Sequence, residues 1–185
     1  MSAKVIFGIL LAGILSNNYA LLQFLGTGAV MENRRPVRQS LVLGLGTTLA
    51  MVLCTLITWP IYTYLLTGAA YLQTMVFVIV MLAVVELLHA VGGKVLDGYC
   101  HADFVKFGIN GAVLGLCILN TQLSFGEAAF TALGVGIGFT AALILYSRLR
   151  EQVWDEEAIP APFRGLPVSL LTAGMIALAL LALNF

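Results

Sequence analysis

Charge is what this sequence has least of. Only 10% of its 185 residues are charged, nine basic and nine acidic, with two histidines. A water-soluble domain of this size carries roughly a quarter charged residues, so this chain cannot cover a water-facing globule. It has no basic groove and no basic patch interleaved with aromatics, which excludes a nucleic-acid-binding surface. Cysteine is also scarce. Cys54, Cys100 and Cys117 form no C-x-x-C pair, and their odd number argues against a disulfide framework. Each reads as a small thiol tolerated in apolar packing. No nucleophile is placed with a base, and there is no phosphate loop, haem motif or dinucleotide motif. Catalysis in the strict sense is therefore not expected in this chain.

Long apolar runs fill the sequence instead. It is 61% hydrophobic, with a mean hydropathy of +1.01. A bilayer core takes about 20 apolar residues per helix. Nearly uncharged runs fall at 5–31, 39–66, 71–91, 104–119, 127–147 and 166–185. None alternates in the ten-residue pattern of a membrane barrel, so helices are expected. Lys4 and the apolar stretch after it resemble a signal peptide. The run continues to Met31, however, far beyond the roughly 7–15 residues of a signal core, and is read as a retained membrane segment.

The basic residues set the orientation. Arg34, Arg35 and Arg38 follow the first run, Lys94 and Lys106 flank the third connection, and Arg148, Arg150 and Arg164 flank the fifth. The connections around Gly68 and Gln122 hold no Lys or Arg. With six crossings, the positive-inside rule places these clusters in the cytoplasm and both termini outside.

Two runs are interrupted, the first by Ser16-Asn17-Asn18 and the short fourth by Asn110-Gly111. They occupy corresponding places in two three-helix halves, about 1–93 and 94–185 of a single transmembrane domain. The next helices also correspond, with Gly44-Leu45-Gly46-Thr47-Thr48 set against Gly134-Val135-Gly136-Ile137-Gly138. The expected fold is therefore an all-α integral membrane protein of about six transmembrane helices in two inverted repeats, with helices 1 and 4 broken. Paired breaks of this kind often mark a site near the bilayer midplane.

The interrupted segments carry a family resemblance. The stretch Asn17-Asn18-Tyr19-Ala20-Leu21-Leu22-Gln23-Phe24-Leu25-Gly26 resembles the N-N-F-x-L-x-x-F-L-G of RnfA and its counterpart NqrE, membrane components of the Rnf/Nqr ion-translocating electron-transport complexes. Asn110-Gly111-Ala112-Val113-Leu114-Gly115 is similar to the family's N-C-A-V-L-G, and Leu119-Asn120 follows as it does there. Pro160-Ala161-Pro162-Phe163-Arg164-Gly165 resembles P-A-P-F-R-G, with Leu171-Thr172-Ala173-Gly174 after it, and Tyr71-Leu72-Gln73-Thr74 resembles Y-L-x-T. The likeness runs from about residue 10 to about residue 180.

The resemblance implies a multi-pass subunit in a bacterial cytoplasmic membrane. Its complex would couple ferredoxin or quinone and NAD(H) redox chemistry to Na⁺ or H⁺ translocation. It implies a homologous partner of opposite orientation (RnfE/NqrD-like), other Rnf-type subunits carrying flavins and iron–sulfur clusters, and a [2Fe-2S] cluster held by the pair between their broken helices. This sequence departs from the family at the two cluster cysteines, which fall on Gly28 and Gly111. Glycine supplies no thiolate, so no cofactor or metal is expected to be ligated here.

Other residues remain candidates. The amides of Asn17, Asn18 and Asn110 can satisfy backbone groups freed at the breaks or face a cofactor or ion. Glu86 and His89 lie three apart on one helix face, either as stations on an ion path or as groups reaching the interface. Trp59 and Pro60 read as an interface anchor and a kink, and Trp154-Asp155-Glu156-Glu157 as a solvated acidic loop. The expected function is a non-catalytic membrane subunit of an Rnf-type complex. The alternatives are a small standalone ion or solute transporter and an assembly factor.

Overall fold

The computed structural model describes residues 3–13, 25–26, 37–66, 68–92, 109–153 and 160–182. These form α1 (Ala3–Leu11), α2 (Val37–Leu65), α3 (Gln73–Gly92), α4 (Gly111–Asn120), α5 (Phe125–Val153) and α6 (Leu166–Ala182), with no strand among the described residues. Short 3-10 turns at Ala70–Leu72 and Ala161–Phe163 lead into α3 and α6.

Length separates the helices into two kinds. Segments Gln39–Leu65, Ala70–Val91 and Phe125–Leu149 are long and apolar enough to cross a membrane. At 1.5 Å per residue, the ten residues of α4 extend only about 15 Å, roughly half the 30 Å hydrocarbon layer. Large apolar side chains face outward on α3 (Tyr71 just before it, then Met75, Ile79 and Leu87) and on α6 (Leu171, Met175, Leu178). Such an outer surface is stable against lipid or another apolar protein face and costly against water.

At the centre, α2 and α5 pack closely along their length. Ser40 Oγ and Ser147 Oγ lie 2.8 Å apart, and Thr48 Oγ1 and Thr140 Oγ1 lie 3.0 Å apart. Numbers climb on one helix as they fall on the other, so the pair is antiparallel. Gly44 faces Thr140 and Gly136 faces Thr48, where an added Cβ would come within 2.6 and 2.5 Å of a threonine Cγ2. The two glycines remove the side chains that would hold the backbones apart, as small residues do at membrane helix crossings.

Thr48 also donates to Gly44 O at 2.8 Å, and Thr140 donates to Gly136 O at 3.0 Å. One hydroxyl can donate only one proton at a time, so the Thr48–Thr140 contact competes with these backbonds. Leu43, Met51, Phe139, Leu143 and Tyr146 form the apolar heart of the buried side, with Thr47, Thr55 and Thr58 among them.

Burial repeats at a constant offset. On α2, Ser40, Leu43, Thr47, Thr48, Ala50, Met51, Cys54 and Thr55 are buried; on α5, Ala132, Val135, Phe139, Thr140, Ala142, Leu143, Tyr146 and Ser147 are buried, each 92 residues further along. The same offset carries Phe77, Met81, Val84 and Val85 of α3 onto Ser169, Ala173, Ile176 and Ala177 of α6. The central helices are antiparallel and bury faces at matching intervals. The glycine-rich sequence pattern sets Gly44 against Gly134. The contacts pair Gly44 with Gly136 as equivalents, two residues later, because the threonine four residues on must meet its counterpart at the crossing.

The ends of the bundle differ in charge. Arg38 in the first turn of α2 lies at the same end as Arg148 near the close of α5, since Ser40 and Ser147 are in contact there. At the opposite end Trp59 Nε1 donates to Leu123 O at 2.9 Å, and its ring meets Phe125 edge-on with centroids 5.2 Å apart. This seats an amphipathic indole where an interface anchor belongs. Pro60 lies inside α2. Ser124 and Glu127 cap the start of α5 reciprocally, with Ser124 N donating to Glu127 Oε2 at 3.2 Å and Glu127 N to Ser124 Oγ at 3.4 Å.

Candidate functional site

Residues of the first and fourth apolar runs meet at one place. A turn at Leu25–Gly26, from the first interrupted segment, sits against the start of α4. Gly26 adopts φ +74°, a left-handed conformation open to glycine and strained for other residues. Its position is also crowded. A Cβ there would lie 2.9 Å from Ala112 Cβ and 3.2 Å from Asn110 Oδ1. Leu25 lays a methyl against Gly115, where a Cβ would meet it at 2.8 Å.

Asn110 explains why α4 begins where it does. Its backbone is extended (φ −129°, ψ 161°), and its Oδ1 accepts from Ala112 N at 2.9 Å and Val113 N at 3.0 Å. A helix started inside lipid leaves its first amides without partners, and this side chain supplies an acceptor for two of them. Asn110 thus caps the backbone at the start of α4. Ala112 and Val113 behind it are fully buried. The α4 axis then runs about 15 Å to Asn120, whose Nδ2 donates to Ala128 O at 3.2 Å near the start of α5. Since α5 starts at the tryptophan end of the bundle, Asn110 lies one length of α4 inward from it.

Gly111 is the first residue of α4 and is exposed. Among the described residues a Cβ there would find only Gly26 N within 4 Å, at 3.6 Å. Glycine directs no thiol from this position. Gly28, the other position, and Asn17 and Asn18 lie outside the described residues, as does Cys100. Among the described residues no group of three His, Cys, Asp or Glu side chains could hold a metal. Gly111 therefore does not fit the role of ligand to an iron–sulfur cluster.

The remaining candidates lie elsewhere. Glu86 is exposed and His89 half-buried on α3, and neither is among the atoms nearest Gly26 or Gly111. One association had no signal in the sequence. Cys54 on α2 and Cys117 on α4 are both buried in one apolar core. They are 63 residues apart, and only the packing of α4 against α2 brings them together.

Comparison with known proteins bears on this geometry. Residues 6–185 match the family described as "Rnf-Nqr subunit, membrane protein". The A component of the ion-translocating oxidoreductase complex of Syntrophotalea carbinolica is 36% identical over 178 residues, covering 92% of each chain. The protein of the same name from Thioalkalivibrio sulfidiphilus is 34% identical, again over 92% of each chain. The A component of the Na(+)-translocating ferredoxin:NAD(+) oxidoreductase complex of Acetobacterium woodii is 31% identical over 183 residues, 95% of each.

Proposed function

The chain belongs to the Rnf-Nqr family of membrane subunits, and from that premise we propose that its two interrupted segments build the central junction of a paired membrane unit to which this chain gives no cluster ligand. It is a membrane subunit of an ion-translocating electron-transport complex. The observation that carries the finer reading is the seating of Gly26 on Asn110 and Ala112 beside an open Gly111. The framework of the junction is intact while its thiol is missing.

The partner is a homologous subunit of opposite orientation, covering the open side of Gly111. Supporting this are the exposed position of Gly111 and the apolar outer surfaces of α3 and α6. The arginine-bearing end faces the cytoplasm of a bacterial cell and both termini face outward, a reading supported by Arg38 and Arg148 sharing one end. Flavins and iron–sulfur clusters reside in the other subunits. Glu86 and His89, three apart on α3, are the candidates for an ion path, as ionisable groups on a membrane helix are by default. A Glu86→Gln substitution is expected to lower ion translocation while leaving assembly unchanged; unchanged translocation removes that role.

Affinity purification of the tagged chain from its native membranes tests the reading. The expected product contains a second Rnf-Nqr-type subunit together with redox subunits, and it couples electron transfer to ion movement in vesicles. A stable homo-oligomer that moves ions or solutes alone would replace this reading with that of a standalone transporter.

A further inference from the structure

The tryptophan end of the bundle carries a hairpin without charge. Beyond Trp59, α2 continues through Pro60 to Leu65 and turns back into α3 by way of Ala70–Leu72. The turn satisfies backbone groups of its own. Leu66 N donates to Ile61 O at 3.2 Å, Ala69 N to Leu66 O at 3.0 Å and Leu72 N to Ala69 O at 2.9 Å. Leu66 is buried, while Tyr64 is 76%, Leu65 75% and Tyr71 84% exposed. No charged residue stands anywhere from Gln39 to Val85.

An apolar tip of this kind is costly in bulk water. The other half of the chain differs at this point. The offset of 92 that relates the buried faces carries Tyr64 and Leu65 onto Glu156 and Glu157 of the acidic stretch. Where one half of the sequence places two carboxylates, the other places a phenol and an isobutyl group.

Depth decides what covers the tip. Arg38 and Trp59 are 21 residues apart, about 32 Å of helix axis, which matches the roughly 30 Å hydrocarbon layer. Tyr64 lies five residues past Trp59, about 7.5 Å further. The headgroup layer adds about 5–7 Å on each side. The apolar span Ala70–Val91 is 22 residues long, about 33 Å, and Tyr71 stands at its end.

We propose that Tyr64, Leu65 and Tyr71 form a lipid-binding surface seated in the headgroup layer at the tryptophan end. Its ligand is the phosphate and glycerol-ester zone of a phospholipid. The phenol hydroxyls donate to phosphate or ester oxygens, and the rings and Leu65 lie against the upper acyl chains. This two-sided contact is the one for which Tyr and Trp are enriched at membrane interfaces. The α2–α3 segment holds no Lys or Arg with which to select anionic lipid. Zwitterionic phospholipid is therefore sufficient. The inference holds whichever side of the membrane this end faces.

The test uses the assembled complex, purified from its native membranes and reconstituted in phosphatidylcholine vesicles. Leu65→Cys in a Cys100→Ser background is labelled with a bimane dye, and the background alone reports stray labelling. Three quenchers are compared: phosphatidylcholine with a headgroup nitroxide, the same lipid with a mid-chain nitroxide, and aqueous iodide. The largest loss of fluorescence should come from the headgroup nitroxide, and added anionic lipid or salt should leave it unchanged. Tyr71→Cys reports from the α3 side of the turn, and it stands alone if Leu65→Cys fails to assemble. Iodide quenching as strong as that of the free dye would overturn the proposal, because the tip would then project into water. Insensitivity to all three quenchers would overturn it as well, because protein would then cover the tip. So would strongest quenching by the mid-chain nitroxide, or headgroup quenching that appears only with anionic lipid.

Discussion

The α2–α5 crossing and the junction of the interrupted segments are built from the same small residues to opposite ends. At the crossing, Gly44 and Gly136 are each filled by a threonine of the other helix, and the Thr48 and Thr140 hydroxyls meet each other and the turns behind them. At the junction, Gly26 is filled from one side by Asn110 and Ala112, while Gly111 meets only Gly26 N among the described residues. The crossing is closed by side chains of this chain. At the junction Gly111 stays exposed. The difference teaches that missing side chains mean different things in the two places: at the crossing they permit contact, and at Gly111 they leave a position without an occupant.

Substitution at the crossing should have the largest effect. Gly136→Leu drives a side chain into Thr48, where the backbone Cα lies only 3.0 Å from the new Cβ. Relief requires α2 to move, so a loss of about 3 kcal/mol is expected, read as a lower unfolding midpoint by fluorescence size-exclusion in detergent. A stable Gly136→Leu protein would show that the helices are not closely crossed there. Asn110→Ala comes next. It removes the acceptor of two α4 amides, at about 1 kcal/mol, and the same assay should show a smaller drop, with faster hydrogen exchange at Ala112 and Val113.

Thr48→Val should cost less, on the order of 0.6 kcal/mol, the typical worth of a hydrogen bond between membrane helices. Thr140 keeps its bond to Gly136 O in that variant, which limits the damage. Gly111→Cys should cost least, within about 0.5 kcal/mol as for exposed positions generally. A Gly111→Cys protein as unstable as Gly136→Leu would erase the contrast between the filled and open sites.

Much of the fold was legible because the bilayer imposes it. The runs 39–66, 71–91 and 127–147 became α2, α3 and α5 to within a few residues, since lipid admits only continuous helices of that length. The interruption at Asn110 was legible for the same reason, because an amide inside an apolar run has backbone groups to satisfy. Register between the halves was harder to read. Gly-rich stretches can be aligned two residues apart without penalty, and the offset of 92 emerges from the buried positions and the Thr48–Thr140 contact. The Cys54–Cys117 pair had no local signature, because tertiary packing alone joins positions so far apart. Asn17, Asn18 and Gly28 lie outside the described residues, so their part in the junction rests on sequence.

The most direct test is the iron content and EPR spectrum of this chain purified together with its homologous partner, separated from the other redox subunits. The account predicts no [2Fe-2S] signal and no stoichiometric iron in that pair. Two irons per pair with a reducible [2Fe-2S] spectrum would contradict it.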